Sequence, residues 1–165
     1  MPVNPSQHNR RAQSPVTCVR PAAAADVAGM AALIASAGLP PLFIEEYLDG
    51  FLLAEHDGAL LACGGVETYG DCAVLRSIVV AEEARGQGLG RRLADALIAR
   101  ARDGGATELY LFTRDAHAFW QRLGFADVAL DDWTPAPRAS WQYRFISTNR
   151  DTDTFAGIHS MWRAA

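Results

Sequence analysis

Residues 79–93 read "VVAEEARGQGLGRRL", a β-branched run that passes through three glycines and three arginines into a helix-like run. Glycine at such a junction lets the backbone take positive φ and lets a ligand approach with no Cβ in the way. The first N–H groups of the following helix point outward and carry partial positive charge, which suits phosphate oxygens. Downstream, Leu89, Leu93, Leu97 and Ala101 recur every fourth residue, with Ala94 and Ile98 widening the apolar stripe. Arg91, Arg92, Asp95, Arg100, Arg102 and Asp103 fall on the wet face, and Gly104-Gly105 ends the run. A strand, "TELYLFT", follows. One helix between "CAVLRSIVV" and "TELYLFT" makes these strands parallel neighbours through a single crossover. The crevice at their ends, where the glycines lie, is where open α/β sheets bind ligands.

Working outward, "TCVR" reads as a first strand and "AAADVAGMAALIASAG" as a helix ending near Gly38. "LPPLFIEEYL" predicts a second short helix, since Pro40 and Pro41 suit a helix start. "FLLAE", the turn "HDG" and "ALLACGGVETY" predict a hairpin, with a bulge or bend at Gly64-Gly65. After "TELYLFT" come a short helix over "DAHAFWQRLG", closed by Gly124, then strands over "FADVAL" and "SWQYRFIS". Phe155, Ile158, Met161 and Trp162 stand at helical spacing, which predicts a helix over the tail, 147–165, docked on the core by default or else on another subunit. The order of elements is that of a mixed α/β sheet and not of a repeated βαβ array.

At 165 residues, half of them hydrophobic and 21% charged, the chain has the composition of one folded domain. Residues 1–15 are polar and expected to be disordered, and the domain proper is expected over 16–146. The net charge of −4 argues against a broad nucleic-acid surface. Cys18, Cys63 and Cys72 form no closely spaced pair, so neither a disulfide framework nor a cysteine zinc site is expected, and no other metal ligand set stands out. No run approaches the length of a membrane span and the first residues carry no apolar signal core, so a cytoplasmic protein is expected.

Two familiar phosphate cradles fail on spacing. A P-loop requires Gly-Lys-Ser or Gly-Lys-Thr, and no lysine follows these glycines. The dinucleotide fingerprint lacks its third glycine, counted from Gly86 or from Gly88. What remains is either a cradle for another phosphorylated ligand or a tight turn whose arginines are merely solvated.

Taken as "SIVVAEEARGQGLGRRLADALI", the segment resembles the cofactor motif of the GCN5-related N-acetyltransferases, with Arg85, Gly88 and Gly90 at its defining positions. "RPAAAAD" and "AFWQRLGF" are similar to further landmarks of that family, in the right order. The resemblance implies a single-domain α/β fold with a mixed, mostly antiparallel sheet flanked by helices. It also implies acetyl-CoA as cosubstrate, its pyrophosphate at Arg85, Gly86, Gln87, Gly88, Leu89, Gly90 and Arg91. The pantetheine arm then lies along Ile78, Val79 and Val80, and Trp120 is read as a flat apolar wall against that arm or against the core. A narrower likeness, in "GLPP", "VLRS", "ELYLFT" and "AFWQRLGF", is to the arsenic-resistance-associated branch. The chain departs from that branch at Thr113-Arg114-Asp115 and in a tail without cysteine.

The implied reaction is direct acetyl transfer to the amine of a small, acid-bearing molecule. The alternatives are an acetyl-CoA-binding regulatory protein without catalysis, or an acetyltransferase acting on a protein terminus. Glu67 interrupts an apolar strand and is the first candidate for a base, acting directly or through water; pairing with Arg76 across adjacent strands is the competing reading. Arg76 suits an acid on the substrate if it is not so paired, and Glu45 and Tyr69 are candidates for substrate contact. Asp115 either caps the following helix or meets substrate. Where many relatives place a tyrosine as proton donor, this chain has Trp120, so water or His117 protonates the leaving thiolate or it departs without help, with a cap or surface role the competing reading for His117. No adjacent histidine marks Cys63 or Cys72 as a nucleophile. Relatives often pair through C-terminal strands, so a homodimer is open.

Overall fold

The computed structural model describes residues 18–165, and the expectation for 1–15 lies outside them. Among the described residues seven strands form one sheet: β1 (Cys18–Pro21), β2 (Phe51–His56), β3 (Ala59–Tyr69), β4 (Cys72–Val80), β5 (Glu108–Thr113), β6 (Ala126–Asp127) and β7 (His159–Ala164). Their order is β1-β2-β3-β4-β5-β7-β6. Only β4 and β5 run parallel, as the single crossover requires; every other pair is antiparallel. Four helices flank it: α1 (Val27–Ser36), α2 (Leu89–Asp103), α3 (His117–Arg122) and α4 (Trp141–Asn149). Among the described residues no helix is long and apolar enough to cross a membrane.

The apolar stripe of α2 is buried along its length and packs with Leu52, Ala62, Leu75, Leu109 and Leu111 on one face of the sheet. The other face carries two separate clusters. Met30 and Ile34 of α1 cover Phe51, Leu53, Cys63 and Val79, while Trp133, with Tyr143 of α4 against it, covers Cys72, Val74 and Tyr110. The sheet is therefore roofed at two ends on that face, and the strip between the roofs belongs to β3 and β4.

The bulge expected at Gly64-Gly65 is present, with the extra residue on the partner strand. Cys63 faces Val79 and Gly65 faces Arg76, so Ser77 and Ile78 together oppose Gly64. Ser77 sits at φ 51°, a left-handed conformation that costs a serine about 1–2 kcal/mol. A Cβ at Gly64 would lie 2.7 Å from Ile78 and 2.9 Å from Leu97, so only glycine lets the bulge press against α2. Beyond the bulge β4 loses β5: their pairing stops at Leu75 and Leu111, although β4 continues to Val80.

Three expectations are corrected. "LPPLFIEEYL" forms no α-helix; it is a run of bends and turns ending in a short 3-10 turn over Leu48–Gly50. Phe43 takes φ 56°, which a continuous right-handed helix cannot contain, and the neighbouring Leu42 carbonyl accepts from Arg76. "SWQYRFIS" is helix α4 and not a strand, because the Ser140 hydroxyl caps it, accepting from the Tyr143 N–H at 3.2 Å. The tail ends in a strand where a docked helix was expected. β7 inserts between β5 and β6, sending Met161 into the α2-side core and Trp162 to the opposite face.

Candidate active site

The turn before α2 offers backbone and little else. Gly86 and Gly88 lie at φ 75° and 78°, and a Cβ built on either would meet nothing within 4 Å. The helical ladder starts with the Arg92 N–H donating to the Gly88 carbonyl at 3.1 Å, so the N–H groups of Leu89, Gly90 and Arg91 precede it. Leu89 itself is buried, and only its backbone is available to a ligand. Gly90 passes close to Val80, 3.3 Å from where a Cβ would stand. Arg85 folds back to donate from Nε to the Val80 carbonyl, and Gln87 donates to the Glu83 carbonyl. Arg91 is bound to Asp95 at 2.8 Å in an exposed pair, an association worth at most about 1 kcal/mol and readily exchanged for a phosphate.

The separation of β4 from β5 exposes backbone beside this turn. The Ala81 N–H donates to the Leu61 carbonyl, which fixes the phase of the β3–β4 ladder. By antiparallel alternation, the N–H and carbonyl of Val80 then face away from β3, toward the gap, and Arg85 meets that carbonyl there. Val79 and Ile78 lie on the same unpaired stretch, with Val79 also in the α1-side cluster. A phosphate-tolerant turn and an open strip of strand backbone are thus continuous.

Glu67 and Arg76 come together in the strip between the two roofs. They are 2% and 3% exposed, and Arg76 Nη1 donates to Glu67 Oε1 at 2.6 Å. The second carboxylate oxygen accepts from the Tyr69 hydroxyl at 2.5 Å. Arg76 Nη2 donates to the Leu42 carbonyl, and the guanidinium lies near the rings of Trp141, Phe51 and Tyr47, 5.0 to 5.8 Å from their centroids. Burial, together with the neighbouring Glu67 carboxylate, pushes the Tyr69 phenol well above its ordinary range. Of the two readings for Arg76, internal pairing is the one the geometry realises.

The remaining candidates are spread around this centre. Glu45 is exposed at the rim of a cavity of about 330 Å³ between α1 and residues 41–46. Asp115 is exposed and does not cap α3; the Thr113 hydroxyl accepts from the Ala116 N–H instead. Trp120 is 5% exposed and packs edge-on against Phe119 and Phe125 in the α2-side core, which leaves little of it for another partner. His117 opens α3 with Nε2 2.9 Å from the Asp127 carboxylate, and its ring stacks on His159 at 4.0 Å. Burial pushes the thiols of Cys63 and Cys72 up to about 12 and about 11, so neither is a ready thiolate. Tyr47, Trp141 and the Leu42 carbonyl escaped the sequence reading, because each lies in a segment whose expected secondary structure was wrong.

The model of the acetyltransferase (GNAT) family matches residues 22–125. The chain is 33% identical over 105 residues to an amino-acid acetyltransferase of Ralstonia nicotianae, covering 61% of this chain and 23% of that protein. It is 26% identical over 102 residues to an amino-acid acetyltransferase of Neisseria meningitidis serogroup A, with the same 61% and 23% coverage. The chain thus spans under a quarter of the length of these relatives. Among solved structures, N-acetylglutamate synthase from Neisseria gonorrhoeae, complexed with coenzyme A and N-acetyl-glutamate, superposes with a TM-score of 0.76 at 24% identity, over 92% of this chain and 36% of that one. Mycobacterium tuberculosis Rv2747, in complex with CoA and NLQ, gives a TM-score of 0.69 at 22% identity, over 90% and 99%. At these identities the superpositions establish a shared fold.

Proposed function

The chain belongs to the acetyltransferase (GNAT) family, and from that premise we propose that it transfers the acetyl group of acetyl-CoA directly to the amine of a small, acid-bearing molecule. The observation that carries this reading is the continuity of the Gly86–Gly88 turn with the unpaired end of β4. Acetyl-CoA supplies the acetyl group already activated as a thioester. The N–H groups at the start of α2 receive the pyrophosphate, and Arg85 and Arg91 add charge at its rim. The strip from Ile78 to Val80 lines the pantetheine arm, and the Val80 N–H is the donor available to a carbonyl oxygen lodged in the gap.

The amine nitrogen bonds to the acetyl carbon as the carbon–sulfur bond breaks, and coenzyme A leaves as its thiolate and is protonated by solvent. Glu67 takes up the proton lost by the amine through Tyr69. The amine proton passes to the Tyr69 oxygen as the phenolic proton passes to Glu67 Oε2, along the bond already in place. Arg76 holds the carboxylate in position and is not the first partner for an acid on the acceptor. The acid-bearing character of the acceptor is supported by the relatives, which are amino-acid acetyltransferases by name. A small acceptor is favoured by Phe43, whose ring lies 5.4 Å from that of Trp141 and bridges the walls between which a protein chain would have to pass. The narrower likeness to the arsenic-resistance-associated branch rests on the quoted strings alone and does not enter the choice of acceptor.

Release of free coenzyme A thiol, followed across a panel of amino acids and simple amines, is the direct test. Thiol release dependent on one acceptor is expected; tight acetyl-CoA binding with no release on any amine would instead mark a regulatory binding protein. Tyr69→Phe leaves the Glu67–Arg76 pair intact. It is expected to lower kcat/KM about 100-fold or more, within the range of general acid–base contributions, while acetyl-CoA affinity stays unchanged. An unaltered kcat/KM in that variant removes the relay.

A further inference from the structure

We propose that His117, Asp127 and His159 form a binding site for a transition-metal dication of the zinc class. The three residues come from the first turn of α3, the end of β6 and the start of β7, and no short motif announces them. Their ligand atoms all lie within 4.8 Å of one another. His117 Nε2 is 2.9 Å and His159 Nδ1 3.4 Å from the same carboxylate oxygen, Asp127 Oδ1. Ligands bonded to one zinc ion at about 2.0–2.2 Å in tetrahedral array stand about 3.3–3.6 Å apart. The side chains therefore sit within about 1.5 Å of a chelating arrangement, and the stacked rings, 28° between planes, must turn for their in-plane nitrogen lone pairs to converge on one ion.

Two imidazoles and one carboxylate are a donor set that zinc and its neighbours prefer over the hard cations, which seek oxygen. A hydrogen-bonding explanation covers only part of the cluster. The His117 contact is a good hydrogen bond, but the His159 distance of 3.4 Å is too long to be one of full strength. A dication coordinates both rings through their nitrogen lone pairs, and its charge is balanced in part by Asp127. All three side chains are partly exposed, so an ion has an entry path and room for a water as its fourth ligand. A bound ion would tie the start of α3 to the β6–β7 edge, independently of acetyl transfer.

The test uses the full chain without a purification tag, stripped of metal by a chelator and dialysed against Zn²⁺ or Mg²⁺. One equivalent of zinc is expected, with a rise in melting temperature that the same concentration of Mg²⁺ does not produce. Asp127→Asn and His159→Gln are each expected to weaken zinc binding at least about tenfold and to abolish the rise. Both residues are partly exposed, so the metal-free variants are expected to melt with the wild type, and Cys18→Ser is expected to retain the ion. Binding that survives in both site variants, that is lost with Cys18, or that Mg²⁺ matches, overturns the site.

Discussion

Glu67→Ala is expected to lower stability by about 3–5 kcal/mol, because it leaves the Arg76 guanidinium buried without its counter-charge. A domain of this kind is stable by only about 5–15 kcal/mol, so the variant should sit near the edge of folding. Arg76→Ala is expected to cost as much, since Glu67 would keep only the Tyr69 hydroxyl and the Leu42 carbonyl would lose its donor. The paired replacement Glu67→Leu with Arg76→Met tests the cause. Exchanging a buried ion pair for apolar groups of similar size is often neutral or stabilising, so the double variant should recover most of the loss while acetyl transfer stays abolished. Urea denaturation of the four proteins reads the stabilities, and thiol release reads the transfer. A loss below about 1 kcal/mol in either single variant would show that water reaches the pair, as it does for surface pairs.

Gly88→Ala is expected to weaken acetyl-CoA binding roughly ten- to hundredfold. Hydrogen bonds from backbone N–H to a charged group contribute about 1.5–3 kcal/mol each, and a methyl at the mouth of the turn displaces the anion from at least one of them. The free protein tolerates the methyl sterically, since the space is open, and suffers only the left-handed backbone cost of about 1–2 kcal/mol. Gly105 provides the control: it lies at φ 91° beyond the other end of α2, also in open space. Gly105→Ala should carry a comparable stability cost and leave acetyl-CoA affinity untouched. Equal affinity losses in the two variants would mean that strain in α2, and not occupation of the turn, sets binding.

The turn and helix proposed to hold the cosubstrate were legible in the sequence as local structure, because their determinants are local. Glycines with positive φ, an apolar stripe at helical spacing and a β-branched strand occupy consecutive positions, and each keeps its preference in the fold. The acceptor side was not, because its shape is set by distant partners. "WQYRFI" alternates large apolar and polar residues as a strand does, yet Ser140 caps it into a helix and Trp133 receives its Tyr143 ring. The apparent helical spacing in the tail came from Met161 and Trp162 serving opposite faces of one strand. "LPPLFIEEYL" turns at Phe43, held at φ 56°, beside a Leu42 carbonyl that Arg76, far along the chain, meets with its guanidinium. Glu67 was found by its oddity in an apolar strand, but only the cross-strand register showed which oxygens were already occupied.

The position of β7 has a consequence for the order in which the molecule assembles. β2, β3 and β4 close through tight turns, whereas β7 must return from far along the chain to pair residues such as Glu108 with Ala164. Closing so long a loop is entropically slow compared with zipping neighbouring hairpins. Trp133 is held over the sheet by donating from its indole to the Ser160 hydroxyl at 2.7 Å, so the roof on that side waits for β7. The turn proposed for the cosubstrate and the wall proposed for the acceptor thus belong to early- and late-closing parts of the sheet, and a chain still lacking β7 would have the first before the second.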